Sequence, residues 1–325
     1  MKILQKRQVC IDAGSEYCPC YLAETNNCII CSQLQGKEFC DCNWSGVCVY
    51  HELLMNSSKI RQQRDYYNST IENITRIGKD CYLLRLKVTK TLARQLKEPG
   101  SYVFLRDEKL PQYFDVPMSI MHSDVVNSKI TVAFKVIGAK TNSLIKCDES
   151  LLVKGPYWNG IYGLRKLKSV KEKKCMVIAR GISQAPALLA IEKLVKNKNK
   201  VILILDKGSI GEPFISDFIK EMNIDIYEED LMTDKGKALI SYVLLSEDIA
   251  LVYSAGSDLV HMKIIKILEE LQLDPYLAVT NNNEICCGEG ICGACIIRLK
   301  NGTKAKACKT QIDSRKIIER RVIFD

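Results

Sequence analysis

No stretch of about eighteen apolar residues occurs in the 325-residue sequence, which excludes a long apolar helix spanning a membrane as its organising element. The opening MKILQKRQVC lacks the apolar core of an export signal ahead of Cys10, so the expected setting is cytoplasmic, without a membrane partner. Internal repeats are not apparent. Recognition-helix and RNA-binding signatures are also missing, which leaves nucleic acid a remote partner. With 47% hydrophobic and 26% charged residues the chain is neither disordered nor of low complexity, and its length exceeds what one hydrophobic core usually serves.

What the chain has in quantity is cysteine: sixteen in all, eight from Cys10 to Cys48 and five from Cys286 to Cys308. In a reducing compartment, crowded thiols more often hold metal or iron–sulfur clusters than form disulfides. The net charge of +9 is carried by residues 161–200, where eleven Lys and Arg face only Glu172 and Glu192. Such a block either steers an acidic partner or a dinucleotide phosphate, or is a solvated rim of lysines.

Organisation changes along the chain. Residues 1–55 are polar, cysteine-rich and weakly periodic, as expected of a module organised by ligands instead of by a core. A helical or linker passage from His51 leads into residues 70–153, where TIENITRI, CYLLRLKV, YVFLR, KITVAFKVIG and SLLVKG read as short strands of a small barrel. From about 172 to 275 the strands CMVIAR, VILILD, IDIYE and IALVYSA alternate with helices, which implies a doubly wound parallel α/β domain. The expected architecture is multidomain α/β plus β. It comprises a metal-organised module (1–55), a linker and barrel (56–168), an α/β domain (169–278) and a C-terminal cysteine domain (279–325).

In that last domain CCGEGICGAC spaces Cys287, Cys292 and Cys295 as C-x4-C-x2-C, with Cys308 twelve residues on, the plant-type [2Fe-2S] pattern. A loop wrapping two irons turns sharply, and Gly288, Gly290 and Gly293 permit it. Structural zinc, which usually shows two short cysteine pairs, and a loop without cofactor are the alternatives. Cys286 is a spare thiol, either an alternative ligand or a packed small residue. In the N-terminal module Cys10, Cys18, Cys20, Cys28, Cys31, Cys40, Cys42 and Cys48 suffice for two four-ligand sites. Zinc is the first choice there because no C-x2-C-x2-C run is present; a second iron–sulfur cluster, disulfides or free thiols are the alternatives.

The cysteine loop, the α/β domain and the barrel, in that order from the C-terminus, resemble the iron–sulfur electron-transfer subunit of dihydroorotate dehydrogenase, within the ferredoxin reductase superfamily. The resemblance covers about residues 68–325. It implies a barrel that binds FAD, an α/β domain that binds NAD(P)H, and a cluster held by Cys287, Cys292, Cys295 and Cys308. The function so implied is a flavin and iron–sulfur oxidoreductase that exchanges electrons with a partner dehydrogenase or reductase subunit, or with an acidic carrier such as ferredoxin.

Residue by residue, VPMSI places Pro117, Met118, Ser119 and Ile120 where the family has a basic residue followed by a short apolar and serine motif facing FAD, and KVIGAKT places Gly138 and Thr141 in its phosphate-facing turn. Gly155 opens the loop that closes the barrel. RGISQAP and SAGS put Gly181 and Gly256 at the nicotinamide site. Val116 departs from the arginine the family offers to the FAD pyrophosphate, so Lys135 or Lys140 is expected to replace it. Arg180, Ser183, Ala255 and Asn282 also depart from the family pattern. A reductase-fold metal or redox sensor without nicotinamide turnover is therefore the alternative function.

Overall fold

Period-two alternation of Leu, Val and Ile with polar residues builds six antiparallel strands: β1 (Tyr66–Gly78), β2 (Cys81–Lys87), β3 (Tyr102–Arg106), β4 (Val116–Asp124), β5 (Lys129–Lys135) and β6 (Ser150–Tyr157). In the computed structural model, which describes residues 8–42, 44–299 and 302–321, they close a barrel in the order β1-β2-β5-β4-β3-β6. Leu84, Val103, Leu105, Ile120, Val132 and Val153 fill its interior.

The edge strand β7 (Ile161–Tyr162) leads into β8 (Lys174–Arg180), β9 (Lys200–Asp206), β10 (Ile224–Glu228), β11 (Ile249–Ala255) and β12 (Tyr276–Thr280). Their order is β10-β9-β8-β11-β12-β7, parallel except for β7. The parallel strands β8 and β9 are apolar along nearly their whole length because they are covered on both faces. The order reverses between β8 and β11, so the carboxyl ends of these two strands flank a topological switch point.

The chain forms two compact units, residues 66–282 with 313–325, and residues 1–65 with 283–312. The second of these joins two segments that the sequence reading separated. In it the strand Val9–Cys10 pairs antiparallel with Thr310–Gln311, and the N-terminal segment adds only a small apolar cluster of Ala23, Cys28, Cys31, Leu34, Val49 and Leu53. The expected C-terminal domain is split, because the helix Ser314–Arg321 belongs with the barrel and α/β unit. The helix between β9 and β10 is short, Ser216–Ile219. Among the described residues no helix is long and apolar enough to cross a membrane.

Candidate functional site

The cysteine loop carries positive φ at Gly288, Gly290 and Gly293 (72°, 75° and 81°), a left-handed backbone that other residues adopt only with strain. These turns sort the four expected ligands into two pairs. Cys295 Sγ and Cys308 Sγ are hydrogen-bonded at 3.2 Å, and the Cys287 and Cys292 thiols are hydrogen-bonded to each other. Burial opposes ionisation of Cys287, but N–H groups of Cys292, Glu289 and Ile291 directed at its sulfur hold the thiol below its ordinary value. The Cys308 thiol likewise lowers Cys295 and is itself raised. Two pairs of sulfurs, one pair for each of two metal ions, fit a [2Fe-2S] cluster. Cys286 is exposed and stands outside both pairs.

Beneath this loop lies a buried network of four charges that the sequence reading missed. Arg64 Nη2 lies 2.9 Å from Asp12 Oδ1, and Lys309 Nζ lies 2.8 Å from Glu289 Oε2 and also bonds Asp12. Two cations and two carboxylates balance in a setting where an unpaired charge would be costly. The Arg64 guanidinium also stacks 4.0 Å from the Tyr17 ring centroid. Burial opposes ionisation of Asp12, yet Lys309 and Arg64 hold its carboxyl down to about 2.

On the barrel, Pro117 and Ser119 lie on the outer face of β4 beside Phe104 and Tyr102, their register partners. Met118 and Ile120 alternate inward, so their side chains belong to the core and not to a ligand site. Gly155 is a packing glycine: a Cβ there would approach Val103 Cγ1 to 2.9 Å. The Thr141 hydroxyl is occupied locally, accepting from Ile137 N at 2.9 Å and donating to Gly138 O at 3.2 Å. Lys135 is exposed at the end of β5, whereas Lys140 Nζ donates to the Asp115 carbonyl at 2.9 Å, beside Val116. Arg106 pairs with Asp115 at 2.9 Å, and both Arg106 and Lys154 sit over the Tyr66 ring. Arg106, Lys140 and Lys154 thus gather around Asp115 and Tyr66 beside Val116, where the family arginine is missing, and their charge fits a pyrophosphate.

At the switch point Gly181 has φ +54°, with no atom within 4 Å of where a Cβ would stand. Gln184, at the start of the following helix, is fully buried, and its Oε1 has no hydrogen-bond partner. Arg180 is not available to a phosphate, because it pairs with Asp206 and, at 2.8 Å, with Asp230. Asp206 also accepts from Gly208 N and Leu231 N. Gly256 is required by packing, since a Cβ would meet Val260 Cβ at 2.9 Å. Behind it the buried His261 bridges Ser254 and Thr280 at 2.8 and 3.0 Å, and Asn282 reaches Gly256 O at 2.9 Å. A lone histidine in an apolar helix gave no sequence signal for this network. A cavity lined by Leu244, Asp248 and Tyr276 lies at the amino ends of β11 and β12, away from the switch point.

Within the basic block of residues 161–200, Lys168 and Lys193 pair with Glu98, Lys174 with Glu247, and Lys200 with Asp225.

No protein-family profile matches the chain. Curated sequences do. Its curated relatives are electron transfer subunits of dihydroorotate dehydrogenase B. That of Shouchella clausii is 25% identical over 244 residues, covering 72% of this chain and 88% of the relative. The Clostridium perfringens protein is 23% identical over 199 residues, 59% of this chain and 76% of its own. Among solved structures, the NADH-dependent reduced ferredoxin–NADP oxidoreductase superposes with a TM-score of 0.61 at 16% identity, over 74% of this chain and 85% of that one. The ferredoxin reductase of carbazole 1,9a-dioxygenase gives 0.52 at 14% identity, over 67% and 69%. The barrel and the α/β domain thus have the ferredoxin reductase-like fold.

Proposed function

We propose that the chain is an electron-transfer subunit of a flavin and iron–sulfur oxidoreductase. It would pass electrons between NAD(P)H, FAD and a [2Fe-2S] cluster, to or from a partner dehydrogenase or reductase protein. The observation that carries this reading is the sorting of Cys287 with Cys292 and Cys295 with Cys308 around three left-handed glycines. The curated relatives support the same assignment. When bound, FAD supplies the exchange between a two-electron hydride and single electrons. The chain's own residues bind and orient. Lys140 and Lys154 offer charge to the pyrophosphate beside Val116, Pro117 and Ser119 border the flavin, and Gly181 and Gln184 receive the nicotinamide dinucleotide. The Glu289 amide, 3.3 Å from Cys287 Sγ, stabilises thiolate charge at the cluster. No side-chain acid, base or nucleophile is required.

The test is the visible spectrum of anaerobically purified protein before and after NADH or NADPH. Flavin and cluster absorption that bleaches on addition supports the reading; protein with neither chromophore overturns it. Pairing of Arg180 with Asp206 and Asp230 favours a second reading, a relay or sensor without nicotinamide turnover. In that case dithionite bleaches the chromophores and neither nicotinamide does.

A further inference from the structure

Eight cysteines of the smaller unit take no part in the loop just described. We propose that they hold two further iron–sulfur clusters, one on Cys10, Cys18, Cys20 and Cys28, the other on Cys31, Cys40, Cys42 and Cys48. This deepens the electron-transfer reading and rests on it.

Proximity makes the partition. Cys20 lies close to Cys10, Cys18 and Cys28, and Cys18 to Cys28, while Cys28 also neighbours Cys31, so the two sets meet at that pair. The second four line a single cavity, walled on its apolar side by Ile30, Trp44 and Val49, with Cys40 and Cys42 Sγ 3.7 Å apart. Cys28 and Cys31, two residues from being adjacent, end one set and begin the other.

The backbone is shaped for thiolates. N–H groups two residues downstream are directed at sulfur from Ile30 to Cys28, from Cys42 to Cys40 and from Trp44 to Cys42. The Glu289 amide makes the same bond to Cys287 in the C-terminal loop. A neutral packed cysteine has no need of such donors, whereas a metal-bound thiolate carries charge that they stabilise. The segment also requires a ligand to fold, since its helices Tyr21–Glu24 and Val49–Met55 are too short to persist alone and its apolar cluster is small.

An all-thiolate donor set selects zinc or iron–sulfur. Zinc draws four sulfurs to about 2.3 Å from one point. The second set instead rings a cavity of about 60 Å³, several times the roughly 10–15 Å³ that one water-sized body occupies. That space suits a core of several atoms. Cys10 is also the register partner of Thr310, two residues from Cys308, so the first set abuts the [2Fe-2S] loop within one unit.

The test uses the full chain, purified and reconstituted anaerobically, with iron, acid-labile sulfide and zinc measured and the dithionite-reduced paramagnetic signals integrated. Two extra clusters predict roughly six to ten irons per chain, against roughly two for the loop alone. Cys20→Ser should remove one set of signals and Cys42→Ser another, each sparing the loop signal, while Cys81→Ser in the barrel changes nothing. Stoichiometric zinc with about two irons in the unmodified protein overturns the proposal without touching the electron-transfer reading. Absence of both flavin and loop cluster sinks that reading instead. Loss of both N-terminal signals in a single variant whose protease resistance matches the parent's overturns the partition.

Discussion

Cys286 and Cys287 are neighbours with opposite surroundings, one exposed, the other half-buried with backbone amides directed at its sulfur. Cys292→Ser should abolish the loop's [2Fe-2S] signal, because serine oxygen is a harder and poorer match for iron, whereas Cys286→Ala should leave it unchanged. Paramagnetic resonance of the reduced variants decides between these outcomes. Gly290→Ala is expected to cost about 1–2 kcal/mol from its left-handed backbone alone. Its Cβ would also crowd Leu22 Cδ1 at 3.1 Å and Lys306 Cδ at 3.2 Å, so thermal loss of cluster absorption should come at a lower temperature. The loop glycines were legible because the ligand spacing states what the turn must do. Gly155 and Gly256 carry a packing requirement that sequence does not reveal, since a glycine that admits a phosphate and one that admits a neighbouring side chain look alike there.

Most strands and helices follow from local pattern: β3, β10 and β11 begin and end where alternation or apolar runs do. β4 escaped notice as a strand because Pro117 interrupts its strand pattern, although a proline is tolerated at the second residue, near a strand start. The cation proposed to stand in for arginine beside Val116 was legible only as a choice between two lysines. Geometry separates them, since Lys140 reaches the Asp115 carbonyl and Lys135 points to solvent. Lys140→Met should weaken FAD binding roughly ten- to a hundredfold, the worth of one charged phosphate contact, and Lys135→Met should not. Flavin titration of apoprotein measures both. At the switch point, Arg180→Ala should change NADH affinity less than about threefold, under 1 kcal/mol, because its guanidinium serves Asp206 and Asp230.

The unit built from both ends of the chain could not be read locally, because its ion pair between Asp12 and Lys309 spans 297 residues. Asp12→Asn leaves two buried cations facing Glu289 alone, and removal of one partner from a buried pair costs about 3–5 kcal/mol. Limited proteolysis should then open residues 8–65 while residues 66–282 persist. Acid should act in the same place. With Asp12 held from 3.8 down to about 2, the unfolded chain takes up this proton first as pH falls, so stability present above about pH 4 declines toward pH 2. A pH series of amide exchange in residues 8–20 checks this sign.

The pairing of Val9–Cys10 with Thr310–Gln311 also sets a timetable for biosynthesis. At about 5–20 residues per second the ribosome needs roughly 15 to 60 seconds to pass from the first of these strands to the second. For that interval the barrel and the parallel sheet have sequence enough to fold, while the thiols at the start of the chain wait without the strand that will cover them. The cysteine-rich segment, translated before residues 283–312, is thus among the last parts to be finished.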